Sequence, residues 1–390
     1  PPSAVLHPPE LRARDKLGYP PSGRHKEQSL AASACQREPV INVYRMQAVA
    51  FSATLLAQTA IAQVEGISEV PDVGKSPDWV IAIHGGAGSA SRADLSADAE
   101  KELAADLQAA LEAGAALLEA GAEGPAAIEA ALKVLEDSPH FNAGRGAALN
   151  EHGQARHDAS IMRGEDLSAG AVAGSSRIRN PIAAARAVMG QTQNVLLHGE
   201  GADWFAAGAG LEMANPLYFI TETKREALLE QRARDPEAET VAVPQDDVFY
   251  GTVGAVVLDR RGNISAGTST GGRTNKRYGR VGDTPLIGAG TYASNSSCAV
   301  SGTGHGEYFM RWTVARDICA RVEFAGESLE EASRTLMIDM LLPEGGTGGV
   351  IALDPAGNVV FVMTTANMKR GVMSSNTPAR VAVYSDDTID

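Results

Sequence analysis

Several common classes of protein are excluded by what this sequence lacks. Its 390 residues include only three cysteines, Cys35, Cys298 and Cys319, and so wide a spacing does not suit a disulfide framework or a zinc knuckle. Basic residues are outnumbered, with 34 Lys and Arg against 48 Asp and Glu and a net charge of −14. A basic nucleic-acid binder is therefore not expected. No segment contains about 18 uninterrupted apolar residues, as a membrane span requires.

The residues that are present predict a globular protein. Hydrophobic residues make up 44% of the chain and charged residues 21%, which is enough apolar surface for a full core or for two subdomains that share one. Glycine is common, since it accounts for 41 of the 390 residues, which is above the usual share of about 7%. This excess indicates many tight turns and close approaches of the backbone.

The N-terminal region differs in composition from the rest of the chain. Six prolines occur within the first 22 positions and the first methionine is Met46, so residues 1–45 are expected to be a disordered or misassigned leader. Residues 46–62 are modestly apolar, end in Ala60-Ile61-Ala62 and resemble a secretory signal peptide. A disordered Ala-rich tail is the alternative. We expect a periplasmic or secreted protein if this segment is a signal, and a cytoplasmic one otherwise.

The patterning of the next segment predicts a strand followed by two helices. Residues 79–84 are a short β-rich run, and the glycine-rich residues 85–88 after it indicate a tight turn. A long helix is expected over residues 95–122, which are rich in Ala, Leu and Glu, with Ser96 as its N-cap. A second helix is expected over residues 126–135.

Two later segments share one pattern, in which apolar strands flank an Asp-x-x-Gly-Asn turn. This pattern predicts hairpins with strands at residues 253–259 and 264–270, and at residues 349–354 and 359–364. Amphipathic helices are expected between the hairpins, at residues 307–322 and 328–342. Strand pairs with helices grouped apart from them predict an α+β fold, with helices layered on antiparallel sheet. A four-layer αββα sandwich is compatible with this pattern.

The junction before the first hairpin carries the main functional signal. Residues of about 224–250 are charged and lack a lasting apolar period, which predicts an exposed, flexible linker, and Gly251-Thr252 follows directly. A threonine hydroxyl is a poor nucleophile without a base, and the α-amino group of the same residue, with a pKa of about 7.7–8.0, can be that base. That amine exists only after the preceding bond is cut. The alternative is a Gly-Thr pair that merely opens a strand.

Three nearby groups suit the same chemistry. Thr270 ends the strand that pairs with the Thr252 strand, so the two hydroxyls are expected side by side. Arg280 and Asp283 offer a cation and an anion in a glycine-bounded loop, complementary to the two charges of an α-amino acid; a solvated surface ion pair is the alternative. Thr303 and the glycines after it precede a helix, where N–H groups can stabilise an oxyanion. A phosphate-binding or dinucleotide-binding loop is the other interpretation of that turn.

Seven motifs in a fixed order make the sequence resemble a known family. They are Ile83-His84-Gly85-Gly86-Ala87-Gly88, Phe141-Asn142-Ala143-Gly144-x-Gly146, Ala169-Gly170-Ala171-Val172-Ala173-Gly174, Gly251-Thr252-Val253-Gly254, Thr268-Ser269-Thr270-Gly271-Gly272, Gly279-Arg280-Val281-Gly282-Asp283 and Thr303-Gly304-x-Gly306-Glu307. The sequence is similar to the plant-type L-asparaginases, also called isoaspartyl peptidases, of the N-terminal nucleophile hydrolase superfamily. The resemblance extends from about Trp79 to Lys369.

This resemblance implies a self-processing hydrolase with a four-layer αββα fold. The bond between Gly251 and Thr252 would be cut, leaving an α subunit over residues 78–251 and a β subunit over residues 252–390. Thr252 would then be the nucleophile that hydrolyses L-asparagine and β-aspartyl dipeptides through an acyl-enzyme.

The resemblance also implies roles for the residues around the nucleophile. Thr270 would orient Thr252, and Asn142 would lie near it. Thr303 and the Gly304 N–H would stabilise the oxyanion. Arg280 and Asp283 would hold the carboxylate and the ammonium of the substrate. The full set of residues expected to bind the substrate is Arg280, Asp283, Thr303, Gly304 and Gly306.

A sodium ion is the metal that the resemblance implies. In the family, main-chain carbonyls surround it in the loop that matches Leu135, Glu136, Ser138, Phe141, Ala143 and Arg145. Oxygen ligands suit such a hard cation. No cofactor is expected for the chemistry itself. The expected partner is a small-molecule substrate, with no nucleic acid and no membrane in the mature form, and the expected assembly is a dimer of αβ heterodimers.

Some positions depart from the family's usual residues. Arg145, Arg273 and His305 place bulky polar groups where the family has smaller or apolar ones, and the last two bear on substrate preference. The chain after Met368 is compatible with an unstructured tail. A glycosylasparaginase and a threonine protease are alternatives within the superfamily, and a non-catalytic amino-acid-binding or nucleotide-binding protein is an alternative outside it.

Overall fold

The computed structural model describes residues 66–234 and 251–389, which form two β-sheets and eight α-helices. The strands are β1 (Ile67–Glu69), β2 (Val80–Gly88), β3 (His157–Arg163), β4 (Ala169–Ser175), β5 (Leu196–His198), β6 (Val253–Leu258), β7 (Ile264–Thr270), β8 (Thr291–Ala293), β9 (Ala299–Gly304), β10 (Gly348–Leu353), β11 (Val359–Met363), β12 (Asn367–Ser374) and β13 (Arg380–Tyr384). The helices are α1 (Ala97–Glu119), α2 (Gly124–Asp137), α3 (Pro181–Gln191), α4 (Gly199–Gly208), α5 (Glu222–Arg234), α6 (Gly306–Trp312), α7 (Val314–Ala320) and α8 (Leu329–Arg334). The expected leader and the stretch 46–62 lie outside the described residues.

The strands are mainly antiparallel. The larger sheet has the order β13-β12-β2-β6-β7-β3-β4-β5, in which only the edge pair β4 and β5 is parallel. The smaller sheet has the order β1-β11-β10-β9-β8 and is antiparallel throughout. Helices combined with two largely antiparallel sheets agree with the predicted α+β class.

Both predicted hairpins are present, as β6–β7 and β10–β11. In the first, Val253 lies opposite Ser269. The turn glycines Gly262 and Gly357 have φ angles of +80° and +90°, a conformation that glycine adopts without steric cost. These turns fix the register of the strands. In the first hairpin, this register brings Thr252 next to Thr270 at the end of β7.

Helix α1 begins where the sequence predicts. The Ser96 hydroxyl accepts a hydrogen bond from the Ala99 N–H at 3.2 Å, as an N-cap does. Leu103, Leu107 and Leu111 are buried on one face of the helix, at a helical spacing. They belong to one core cluster with residues of α2 and of the eight-stranded sheet.

Three local predictions are wrong. Residues 85–88 are not a turn, because β2 continues to Gly88 and pairs with β12; Gly86 has a φ of +98°, which glycine allows inside a strand. The helix expected from residue 307 is interrupted at Thr313, whose left-handed φ of +47° separates α6 from α7. The chain after Met368 is not a tail, since it forms most of β12 and all of β13.

The segment expected to be a linker begins as a helix. Helix α5 continues to Arg234 and is exposed on most of its surface, which accounts for its weak apolar period. It is anchored by Leu228, which packs in a small cluster with Leu149 and Phe219. Residues 235–250 of the expected linker lie outside the described residues.

A disulfide bond joins Cys298 to Cys319, with Cα atoms 5.2 Å apart. Both cysteines are fully buried, in a cluster formed by the five-stranded sheet and helices α7 and α8. The sequence spacing gives no indication of this bond, because the two residues meet only when α7 packs against β9. This single bond is not a disulfide framework, and the sequence does not predict it.

Three large hydrophobic clusters form most of the core of the described residues, in addition to the small cluster around Leu228. Helices α1, α2 and α3 pack on the eight-stranded sheet, through residues such as Ile81 and Leu107. A second cluster contains residues of both sheets, including Val256 and Phe361. The third contains the five-stranded sheet and the later helices. In the part of the chain that the structure describes, no helix is long and apolar enough to cross a membrane.

Candidate active site

The candidate nucleophile lies at the start of β6. Thr252 Oγ1 donates a hydrogen bond to Thr270 Oγ1, with the two oxygens 3.0 Å apart. Thr270 Oγ1 also accepts a hydrogen bond from the Gly272 N–H at 3.0 Å. The hairpin register places the two threonines opposite one another, as the sequence predicts. The Thr252 hydroxyl is therefore held by a neighbour that is itself oriented by the main chain.

The peptide bond before Thr252 is held from two sides. The Gly251 carbonyl accepts a hydrogen bond from the backbone N–H of Asn142 at 2.8 Å. The Asn142 side chain is fixed in turn, since it donates to one main-chain carbonyl at 2.6 Å and accepts from a main-chain N–H at 2.7 Å. On the other side, a Cβ at Gly86 would overlap the Gly251 Cα. Only glycine at position 86 allows β2 to approach this peptide so closely.

Thr303 on β9 reaches the same glycine-rich part of β2. Its Oγ1 accepts a hydrogen bond from the Ala87 N–H at 3.2 Å, one residue beyond Gly86. Gly304 has a φ of +147°, and a Cβ there would lie 2.6 Å from the Gly348 Cα. The expected oxyanion turn is therefore held against the strand that contacts Gly251.

Arg280 and Asp283 lie in the loop between β7 and β8. A Cβ at Gly306 would be 2.6 Å from Asp283 Oδ1 and 2.8 Å from Arg280 Nη2, so the two charged groups converge beside this glycine. Burial raises the pKa of Asp283 to about 6, and its Oδ2 has no hydrogen-bond partner among the described residues. A buried carboxyl oxygen without a partner favours a ligand that donates hydrogen bonds.

Glu307 pairs with Arg280 in this structure. The guanidinium donates to both carboxylate oxygens, at 2.9 and 3.0 Å, in a bidentate arrangement. Burial acts to lower the pKa of Arg280, but the hydrogen bond and charge of Glu307 raise it above its usual value. Arg273 and His305 approach the same carboxylate, at 4.0 and 3.6 Å. Two of the residues that depart from the family pattern therefore surround the partner of the candidate substrate-binding arginine.

The loop expected to hold a sodium ion folds back on two glycines. The Glu136 carbonyl is within contact distance of a Cβ placed at Gly144, and the Phe141 carbonyl is within contact distance of a Cβ placed at Gly146. The Ala143 carbonyl accepts a hydrogen bond from the Gly146 N–H at 3.1 Å. Main-chain oxygens are ligands that suit a hard cation, and the Glu136 and Phe141 carbonyls lie close to glycines of this loop.

The side chain of Arg145 leaves this loop. Its guanidinium carbon lies 5.8 Å from the centre of the Tyr218 ring, so the third departing residue contacts an aromatic ring. The remaining carbonyls of the expected ligand set, those of Leu135, Ser138 and Arg145, belong to the same stretch of chain.

Sequence reasoning assigns no role to the side chains of three buried polar residues near the site. Glu136 accepts a hydrogen bond from Ser269 Oγ at 2.6 Å, and burial raises its pKa to about 8. Lys276 donates to the Gly271 carbonyl at 2.8 Å, and burial lowers its pKa. His84 is fully buried and contacts the Thr252 carbonyl. His84 could have been found from the sequence, because it is a polar residue in an apolar strand. The partners of Glu136 and Lys276 could not, because they depend on how the folded chain brings distant segments together.

Comparison with known proteins gives the family. A family model described as asparaginase matches residues 77–383. An isoaspartyl peptidase from Escherichia coli strain K12 is 45% identical over 317 residues, which cover 80% of this chain and 98% of the relative. A Bos taurus isoaspartyl peptidase/L-asparaginase is 41% identical over 293 residues, which cover 74% of this chain and 91% of the relative. A probable isoaspartyl peptidase/L-asparaginase 2 from Arabidopsis thaliana is 37% identical over 326 residues, which cover 78% of this chain and 99% of the relative. The chain belongs to the asparaginase family, which confirms the resemblance carried by the seven motifs.

Proposed function

We propose that this chain is a self-processing amidohydrolase that hydrolyses L-asparagine and β-aspartyl dipeptides with Thr252 as its nucleophile. The names of the relatives, isoaspartyl peptidase and L-asparaginase, support this reaction and substrate class. The observation that carries the proposal is the setting of Thr252, whose hydroxyl contacts Thr270 while Asn142 holds the carbonyl just before it.

Self-processing begins when Thr252 Oγ1 attacks the carbonyl carbon of Gly251. The new C–O bond forms, the C–N bond breaks, and the nitrogen takes up the proton that the hydroxyl loses, so that it becomes the α-amine of Thr252. Water then hydrolyses the ester, which leaves a carboxylate on Gly251 and restores the hydroxyl. The Asn142 N–H already points at the oxygen that gains charge during the attack.

In the mature enzyme, the free amine of Thr252 is the base for its own hydroxyl. Oγ1 attacks the side-chain amide or isopeptide carbonyl of the substrate, and ammonia or the amine of the second residue leaves. Water hydrolyses the resulting acyl-enzyme to release L-aspartate. Thr270 orients the nucleophile during both steps, while Thr303 and the Gly304 N–H stabilise the oxyanion.

Arg280 and Asp283 hold the α-carboxylate and the α-ammonium of the substrate. Gly306 leaves the space in which both charged groups meet. A guanidinium suits a carboxylate because it donates two parallel hydrogen bonds, as the contact of Arg280 with Glu307 illustrates.

Family membership supports three finer proposals. The subunits cover residues 78–251 and 252–390 and assemble as a dimer of αβ heterodimers. The elements stack as αββα, an arrangement that suits one cluster containing residues of both sheets and a helix-bearing cluster on each sheet. A sodium ion held by the carbonyls of residues 135–145 stiffens the loop that carries Asn142, and the chemistry itself uses no cofactor.

The proposal is tested by assaying L-asparagine, a β-aspartyl dipeptide and glycosylated asparagine side by side. We expect the cleaved wild-type protein to hydrolyse the first two, and Thr252→Ala, which lacks the nucleophilic oxygen, to hydrolyse none. Turnover of glycosylated asparagine alone would favour a glycosylasparaginase. An uncut chain that binds amino acids without turnover would indicate a binding protein.

A further inference from the structure

A row of polar residues crosses the centre of the eight-stranded sheet. His84 on β2 lies opposite Gly254 on β6, Gly254 opposite Thr268 on β7, and Thr268 opposite Ser160 on β3. The three side chains of this row are fully buried. Ordinary packing between sheets is apolar, so a row of this kind needs internal hydrogen bonds to be stable.

The partners of this row are on the other sheet. Ser301 on β9 lies opposite Thr291 on β8. Ser301 Oγ is 2.9 Å from His84 Nε2 and 2.7 Å from Thr268 Oγ1. Thr291 Oγ1 is 2.5 Å from Thr268 Oγ1 and 2.8 Å from Ser160 Oγ. The two sheets are therefore joined by a buried chain of one imidazole and four hydroxyls.

Both ends of this chain are main-chain carbonyls, which can only accept hydrogen bonds. His84 Nδ1 lies 3.0 Å from the Thr252 carbonyl at one end. At the other end, the single hydroxyl hydrogen of Ser160 is within reach of both the Thr284 carbonyl, 2.6 Å from Oγ, and Thr291 Oγ1. Nδ1 must therefore carry a hydrogen. Burial lowers the pKa of His84 to about 3, so the ring is neutral near pH 7 and Nε2 is left to accept from Ser301.

The fold keeps space free for these contacts. A Cβ at Gly254 would overlap both Ser301 Oγ and His84 Nε2. Glycine at position 254 is thus the residue that lets the imidazole and the hydroxyl meet between the sheets. The arrangement places an oriented donor on the carbonyl of the candidate nucleophile, on the opposite side of that residue from Gly251.

We propose that His84 is a positioning residue, whose Nδ1–H fixes the Thr252 carbonyl and whose bare Nε2 accepts a hydrogen bond from Ser301. The contact holds the backbone of Thr252, so that Oγ1 stays aligned with Thr270 and with the carbonyl it attacks. A misplaced nucleophile lowers the rate of reaction without weakening the grip on the substrate's charges. This inference rests on the proposed role of Thr252.

Two substitutions separate positioning from space filling. In His84→Asn the side-chain nitrogen takes the place of Nδ1 and keeps the donor to the Thr252 carbonyl. In His84→Gln the amide takes the place of Nε2, so the variant fills more of the cavity but loses that donor. We expect His84→Gln to lose about tenfold or more in kcat, as for one lost hydrogen bond, and to cleave itself more slowly, with KM unchanged. His84→Asn is expected to keep the greater part of both rates.

A purely structural role predicts the opposite order, because the smaller asparagine leaves the larger cavity. If kcat and the rate of self-cleavage are no higher in His84→Asn than in His84→Gln, the inference is overturned. A change confined to KM overturns it as well. Ser265→Ala is the matched control: Ser265 is a buried serine on the same strand as Thr268, its hydroxyl has no hydrogen-bond partner within the described residues, and both rates are expected to stay unchanged.

An NMR measurement that needs no His84 variant tests the same inference if those variants do not fold. In protein labelled with ¹⁵N-histidine, we expect NMR to show one buried ring protonated at Nδ1 and bare at Nε2, with Gly254→Ala disturbing that signal. The reverse tautomer for this ring overturns the inference. Wild-type protein that never exposes Thr252 as a new N-terminus refutes the proposed function instead, and this outcome is seen before any His84 variant is compared.

Discussion

The backbone N–H of Asn142 donates a 2.8 Å hydrogen bond to the carbonyl oxygen of Gly251. That oxygen gains negative charge if the hydroxyl of Thr252 attacks, so the loop after α2 is placed to polarise the Gly251–Thr252 bond. The Asn142 side chain anchors the same loop through two further main-chain contacts. The uncut chain thus holds a hydrogen-bond donor where the proposed self-cleavage needs one.

Arg280→Lys separates substrate binding from self-cleavage. A lysine keeps the positive charge but loses the planar pair of donors that grips a carboxylate, so KM for L-asparagine is expected to rise about 10- to 100-fold. The Gly251–Thr252 bond should still be cut, because the guanidinium contacts Glu307 and not that peptide. Arg277→Lys makes the same substitution in the same loop, so it is the control for replacing an arginine by a lysine there. Unchanged KM in Arg280→Lys would remove this residue from the substrate site.

Asp283 is expected to set an acid limit on substrate binding. Burial raises the pKa of its carboxyl to about 6, so the group loses its charge as the pH falls through that value and no longer attracts an ammonium. The affinity of the cleaved enzyme for L-aspartate should fall about tenfold for each pH unit below the pKa. Calorimetric titrations across this range test the prediction. Asp283→Asn should bind L-aspartate weakly, and its affinity should not fall further as the pH is lowered through about 6. The same fall of affinity with pH in that variant would contradict the assignment.

The hairpin and the position of Thr252 beside Thr270 could be predicted from the sequence because their determinants are local. The Asp-x-x-Gly-Asn turn fixes the register of β6 and β7, and that register alone places Thr252 beside Thr270. The turn predicted at the glycines of β2 is wrong, because the closeness of these glycines to Gly251 depends on a strand that is distant in sequence. The row from His84 to Ser160 needs the order of four strands, which no local pattern contains.

Glu136 predicts how stability depends on pH. Burial raises the pKa of this carboxyl from 4.5 to about 8, so it stays protonated in the folded state while the unfolded chain ionises. Its stabilising contribution is complete below pH 4.5 and is lost as the pH rises to about 8. Glu136→Gln is neutral at all pH values, so its Tm should exceed that of wild type near pH 8, by a margin that shrinks towards pH 4.5. Melting curves across this range measure the difference.

The exposed Glu226→Gln is the control for this stability test, and its Tm should follow that of the wild type. A margin for Glu136→Gln that is constant with pH would show that the carboxyl is ionised in the folded protein.

The disulfide predicts a loss of stability when it is removed. Replacing Cys298 and Cys319 together by serine opens a loop with a sequence separation of 21 residues, and the free energy of unfolding should fall by about 3 kcal/mol. Urea denaturation measures this loss. Alkylation of the denatured, unreduced protein followed by mass spectrometry checks the bond itself. Modification of both cysteines under these conditions would contradict it.

The central claim is that Thr252 works only after it becomes the first residue of a new chain. Intact-mass and N-terminal analysis of freshly purified, active protein tests this most directly. The account predicts one fragment that begins at Thr252 with a free amine, a second that ends at Gly251, and neither fragment in Thr252→Ala. Full hydrolysis of L-asparagine by protein that remains a single uncut chain would contradict it.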